Sequence, residues 1–292
     1  MEVDNNSQGF RYEAISGFFI QSDPSTDPQP HPPAFGLKSR TSATYWEDFE
    51  ARIQKLQQSA PGNVRYVVCW LARHGQGWHN VGVDRYGPIA WENKWSKQNG
   101  DGEITWGPDA KLTPLGEAQA KGVNEIWKKE LSRPGDPIPV PTKLFSSPLT
   151  RALATIDLTF KGVLPKDEST GDPLRSPLII ENLREELSPY TSDHRSSKTD
   201  IQKAYPGFLF EDSFTEEDQL WSEFVSESTE DFTSRLKATL DHIFKDLLGE
   251  KDTFISITAH SGVASIILQI IKHRDYPLPA GGVVPVVIKA TF

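Results

Sequence analysis

The sequence predicts an α/β fold, a three-layer α/β/α sandwich with a mostly parallel central sheet, because short apolar runs alternate with helical spans. Two of those runs, RYVVCWLA (65–72) and TFISITA (253–259), are apolar almost without interruption, as strands covered on both faces are. Between the runs, apolar residues return at helical spacing. The clearest case spans about Glu230 to Leu248, where Phe232, Leu236, Leu240, Ile243, Phe244 and Leu247 share one stripe.

Taken in order, residues 1–60 are irregular and rich in proline and serine, with a loop by composition at 22–33. One helix is expected there, over 44–58, from the spacing of Phe49, Ile53 and Leu56. This region reads as an N-terminal extension packing on a single domain. PGN (61–63) marks a turn before the 65–72 strand. Residues 91–108 carry tryptophans, glycines and asparagines without a period, and read as an insertion or lid near a site entrance. Thr113 caps a helix that starts at Pro114, where the missing N–H costs nothing, and runs through Leu131. KLFSS (143–147) is a strand. Ser147 is the expected cap of the next helix, 148–160, with Pro148 at its first position. After a polar loop (165–177) come a strand at 178–181, a charged irregular stretch at 183–197, and short helices over 198–227. Residues 195–228 read as a second insertion. A strand (253–259), a buried helix (262–273) and a last strand (283–292) complete the chain. No internal repeat and no dividing linker is visible.

Composition narrows the function classes. Hydrophobic residues make up 37% and charged residues 24%, the balance of an ordinary globular protein. The net charge of -9 argues against general nucleic-acid binding, since phosphate backbones repel an acidic surface. The single cysteine, Cys69, excludes an internal disulfide framework, and its apolar surroundings suit an inert buried thiol. The start MEVDNNSQGF lacks a basic region followed by an apolar one, and no run approaches the ~18 apolar residues of a membrane span. The expected location is cytoplasmic, with the nucleus open as well, and not secreted.

In open α/β sheets, sites form beyond the carboxyl ends of the strands. Arg73, His74 and Gly75 follow the 65–72 strand; Arg151 comes early in the helix after 143–147; Arg184, Glu185 and Glu186 follow 178–181; His260, Ser261 and Gly262 follow 253–259. Histidines and arginines together suit a phosphoryl group: arginine binds its oxygens through a planar fork, and a helix start near Gly262 adds N–H donors. A neutral imidazole can attack phosphorus, and a carboxylic acid can protonate the leaving oxygen. Other motifs carry less. There is no HExxH and no Cys/His cluster, so no metal is expected. GDGEITWG (100–107) lacks the phosphate-loop pattern. The acidic stretch 210–231 reads as a solvated face. Trp78, Trp91, Trp95 and Trp106 read as packing residues, with an apolar lining for a substrate tail as the alternative.

LARHGQGWHN (71–80) resembles the signature of the histidine phosphatase superfamily, the phosphoglycerate-mutase-like fold. LTPLGEAQA (112–120), SSPLTRALAT (146–155), LREE (183–186) and TAHSG (258–262) resemble its further segments, in the same order. The resemblance implies His74 as nucleophile, Arg73 and Arg151 as phosphate ligands, His260 with Ser261 at the phosphoryl oxygens, and Glu185 as proton donor. Glu186 is the rival for that last role. Asn80 would position the phosphate or the His74 loop, although a turn or cap suits it too. The motif is not RHGxRxP, so the acid-phosphatase and phytase branch does not fit. The segment after Glu185 looks closer to phosphatase-like fungal and plant relatives, in which an aspartate and an arginine follow. Asp193 and Arg195 are those candidates for substrate contact, or they simply pair with each other. The implied activity is metal-independent, cofactor-free hydrolysis of a phosphorylated small molecule through a phosphohistidine, with no nucleic-acid or membrane partner. A phosphoglycerate-mutase-type isomerase and a non-catalytic phosphate-binding module are the rivals.

Overall fold

The computed structural model describes residues 9–166, 168–169 and 174–292. The loop expected at 165–177 and the first residues of the N-terminal extension lie partly outside this set. In chain order the elements are β1 (Arg11–Ile15), α1 (Tyr45–Gln58), β2 (Val64–Arg73), α2 (Trp78–Asn93), α3 (Pro114–Leu131), β3 (Lys143–Ser146), α4 (Thr150–Phe160), β4 (Leu178–Ile179), α5 (Lys198–Ala204), β5 (Leu209–Phe210), α6 (Thr229–His242), β6 (Phe254–Ala259), α7 (Ser261–Ile270) and β7 (Val283–Thr291).

The sheet order is β1-β7-β2-β6-β3-β4-β5. Strands β2, β6, β3, β4 and β5 are mutually parallel, while β7 runs antiparallel to both β2 and β1. The sandwich with a mostly parallel sheet is therefore the observed architecture. In β2, Val67, Cys69 and Leu71 face one core with Phe232, Leu236 and Leu240 of α6 and Val263 and Ile267 of α7. Val68, Trp70 and Ala72 face the other, with Trp46 and Phe49 of α1, Trp127 of α3 and Leu153 and Ile156 of α4. Period-two alternation between two apolar layers explains why the strand reads as one unbroken apolar run. Among the described residues, no helix is long and apolar enough to cross a membrane.

Several expectations change. Residues 11–15 form an edge strand within a segment read as irregular; RYEAI alternates too weakly to announce it, and long-range pairing with β7 fixes it. Helix α4 starts at Thr150, not at Pro148. Ser147 Oγ accepts only the Leu149 N–H (3.3 Å), while Asp109, far off in sequence, caps the helix through the Thr150 N–H and hydroxyl, each at 2.8 Å. The helix expected to run to Leu248 loosens into a π turn at Ile243–Leu247. Past α5, residues 205–228 hold only the short β5 and turns. Residues 91–108 are a packed unit: Trp91 and Trp106 are buried, and Trp106 Nε1 donates to the carbonyls of Trp95 and Gln98. The packing reading of these tryptophans holds for them.

Two local constraints place the functional loops. After β2 the backbone of Gly75 and Gln76 lies against the start of α3: a Cβ on Gly75 would sit 2.2 Å from the Gly116 carbonyl oxygen, and one on Gly116 2.1 Å from that of Gln76. Only glycine permits this approach. Thr113 caps α3 through the Gly116 N–H (3.0 Å), and its own N–H and hydroxyl hold Gln76. Adding a methyl at Gly116 should therefore destabilise the fold by about 1–3 kcal/mol, as overpacking does. Thermal unfolding of Gly116→Ala checks this; an unchanged transition contradicts the close packing.

The second constraint is a buried ion network beneath residues 181–196. Arg184 makes two 2.7 Å bonds to Asp218 and one of 3.1 Å to Glu181, which also accepts from Arg195 at 2.7 Å. Burial alone would raise the Asp218 carboxyl; the bonds and charge of Arg184 overcome it and bring the pKa to about 2. A folded-state value below the ordinary ~3.9 stabilises the fold above pH ~4, and that contribution is lost as pH falls toward ~2. Asp218→Asn leaves Arg184 short of a buried counter-charge and should cost about 3–5 kcal/mol at neutral pH. Denaturant unfolding should also show a smaller loss of stability between pH 4 and 2 in this variant. Equal acid sensitivity of both proteins contradicts the assignment.

Candidate active site

Adjacent parallel strands β2, β6 and β3 bring three carboxyl ends together, and with them His74, His260 and Ser147. His74 follows β2 directly. Its N–H donates to the Ala259 carbonyl at the end of β6 and its carbonyl accepts from Gly281, so the backbone is fixed from both sides (2.9 Å each). The side chain is buried, and Nδ1 lies 2.6 Å from the carbonyl oxygen of Gly75. A carbonyl only accepts, so the ring proton sits on Nδ1 and the lone pair on Nε2. Burial, and then the charges of Arg151 and Arg73, hold His74 well below the usual histidine range.

Arg151, in the first turn of α4 and 1% exposed, directs Nε to His74 Nε2 at 3.3 Å. Its other two nitrogens donate to the Ser192 carbonyl (2.7 Å) and to Asp193 Oδ1 (2.6 Å). Asp193 is thus the counter-charge of Arg151 rather than a partner of Arg195. His260 is fully buried, with its ring centroid 5.1 Å from that of His74. Ser147 Oγ accepts the Leu149 N–H and lies 2.7 Å from His260 Nε2. With the hydroxyl proton given to Nε2, the proton of a neutral His260 sits on Nδ1, which is buried and has no protein partner. Burial and the charge of Arg151 keep this ring neutral too.

Arg73 donates to the Leu278 carbonyl (3.0 Å) and keeps a buried Nε without a partner. Glu185 lies at the start of α7, accepting the Gly262 N–H at 3.2 Å. Burial and then the Asp193 charge raise its pKa, whereas Glu186 is exposed. A recessed carboxyl that favours its protonated form is equipped to donate a proton.

The remaining sequence candidates have different surroundings. Asn80 accepts the Gly77 N–H (2.9 Å) and so closes the turn that starts α2. Ser261 is exposed at the first position of α7. Arg195 donates to partners within the protein. It is buried, and its guanidinium is spent on Glu181 and the carbonyls of Ser196, Thr215, Glu216 and Glu217. Sequence reasoning missed Thr155, whose hydroxyl accepts the Gly75 N–H (3.0 Å), and His79, whose ring lies 5.5 Å from that of His74. Thr155 carries no local signal. His79 sits inside the His74 motif but shows no metal-ligand spacing to other histidines. Among the described residues, no group of three or more His, Cys, Asp and Glu is arranged to hold a metal ion.

The family profile described as Histidine phosphatase superfamily (branch 1) matches residues 69–280. A protein of Arthroderma benhamiae called "Probable phosphoglycerate mutase" is 40% identical, covering 95% of this chain and 84% of its own length. "Phosphomutase-like protein 3" of Candida albicans is 34% identical, covering 95% and 80%. Among solved structures, the alpha-ribazole phosphatase from Shigella flexneri superposes with a TM-score of 0.42 at 17% identity, over 74% of this chain and 87% of its own. The profile spans most of the chain, and the relatives align along nearly its full length. The protein therefore belongs to the histidine phosphatase superfamily.

Proposed function

We propose that the protein is a phosphomonoesterase that works through a phosphorylated His74 and acts on a phosphorylated small molecule. The observation that carries this reading is the state of His74: Nδ1–H is tied to the Gly75 carbonyl, and the Nε2 lone pair faces Arg151. In the first step Nε2 attacks phosphorus, the bond from phosphorus to the leaving oxygen breaks, and Glu185 gives that oxygen its proton. In the second step water attacks phosphorus, its proton passes to Glu185, and the phosphorus–nitrogen bond breaks with the electron pair returning to Nε2. Arg73, Arg151 and the free Nδ1–H of His260 hold the non-bridging oxygens. Asp193 acts through Arg151, whose fork it orients. No step calls on a metal or an organic cofactor.

The names of the fungal relatives favour a second reading, phosphoryl transfer between hydroxyls of one substrate. It uses the same residues and differs in keeping water from the phosphoenzyme. Product analysis on phosphoglycerates separates the two: inorganic phosphate marks the esterase, an isomer the mutase.

Hydrolysis of an aryl phosphate should persist in EDTA and disappear in His74→Ala, with the variant still folded. Inhibition by EDTA that reverses on adding metal contradicts the mechanism. Glu185→Gln should lose roughly 10²–10⁴-fold on alkyl phosphates, whose leaving oxygen needs a proton, and far less on p-nitrophenyl phosphate. Equal losses on both substrates contradict the role of Glu185.

A further inference from the structure

His79 has no part in the chemistry described above, yet the fold holds it beside the nucleophile. It lies in the first turn of α2, and its ring centroid is 5.5 Å from that of His74, at 57° between the ring planes. Its Nδ1 is buried without a hydrogen-bond partner. The helix start does not need it, because Asn80 already closes that turn through the Gly77 N–H. Backbone shape keeps the ring in place: a Cβ on Gly77 would lie 2.6 Å from His79 Nδ1 and 2.7 Å from Cε1, so the imidazole edge rests on a glycine that must stay bare.

Two buried nitrogens of the groups around His74, Arg73 Nε and His260 Nδ1, also lack a protein partner. A buried polar atom left unpaired is costly, and donors left unpaired on groups beside His74 are available to a ligand there. Burial and the nearby charge of Arg151 keep His79 neutral. A neutral imidazole carries one N–H. With Nδ1 pressed over Gly77 and no acceptor there, the tautomer that avoids a stranded N–H has its proton on Nε2.

We propose that His79 is a third imidazole of the phosphoryl site, donating its Nε2–H to a non-bridging oxygen of the transferring group. This rests on the reading of His74 as the phosphoryl acceptor. The donor adds a hydrogen bond without adding charge. The charge of Arg151 is already met by the Asp193 carboxylate, and that of Arg73 is supported by the charge of Glu185. A third cation would hold the product phosphate more tightly, whereas a neutral donor strengthens most as charge builds on the oxygens in the transition state.

Turnover of p-nitrophenyl phosphate and inhibition by orthovanadate test this in His79→Phe, His79→Ala and His79→Gln. Phenylalanine keeps a ring over Gly77 and removes the donor; glutamine keeps a donor. The Phe and Ala variants should lose about 10–100-fold in kcat/KM and weaken vanadate by a similar factor, while the Gln variant recovers most of both. Thermal unfolding should stay near that of the wild type in the Phe variant. Vanadate affinity unchanged in the Phe variant, or equal losses in Phe and Gln, overturns the role of His79 and leaves it a packing residue. A wild-type protein that neither turns over the aryl phosphate nor binds vanadate overturns the phosphoryl-site reading, and this proposal with it.

Discussion

Arg151 joins three parts of the molecule through one buried guanidinium. Its Nε meets His74 beyond β2, and its two terminal nitrogens meet Ser192 and Asp193 on the loop that follows Glu185. The helix that carries it is capped by Asp109, which also binds the N–H and hydroxyl of Ser196. Each contact needs the others. A buried guanidinium without Asp193 would be an uncompensated charge, and Asp193 without the backbone set by Arg184 would not lie where Arg151 reaches it. The positive charge beside His74 is thus fixed by the fold itself, as electrostatic stabilisation of a transition state in the proposed reaction requires.

Around that charge the histidines stay neutral. Burial is the largest cause for His74, His79 and His260 alike, and Arg151 adds to it in each. In the proposed reaction neutrality serves His74, which needs a lone pair to attack, and it lets the neighbouring rings donate single hydrogen bonds. Burial acts on Glu185 in the opposite sense, because it penalises the charged form of an acid just as it does that of a base. One recessed site therefore favours both a neutral base and a neutral acid, the pairing that acid-assisted displacement calls for.

The legible part of the sequence was what local rules govern. The runs at 65–72 and 253–259, the Thr113 cap and the stripe of α6 needed only periodicity and propensity, and the strand ends they define carry His74 and His260. What stayed hidden depends on distant partners. Asp109 caps α4 across a long loop, β1 exists because β7 pairs with it, and the Arg195 guanidinium is bound by Glu181 and a ring of carbonyls. Asp193 was legible as a candidate, but its contact with Arg151 was not, since a charge in a loop gives no sign of which guanidinium it meets. His79 was visible in the motif and passed over, because a lone histidine shows its worth only once the nitrogens around it are seen to lack partners.

The central claim is that phosphorus passes through His74 Nε2. Rapid quenching of the wild-type protein during turnover of a phosphomonoester, followed by peptide mass spectrometry under alkaline conditions that preserve phosphohistidine, tests it most directly. The account predicts an acid-labile phosphoryl group on the peptide that contains His74, formed and consumed at rates that match turnover. Steady hydrolysis with no phosphoenzyme, and inversion rather than retention at a chiral phosphorus, would contradict it.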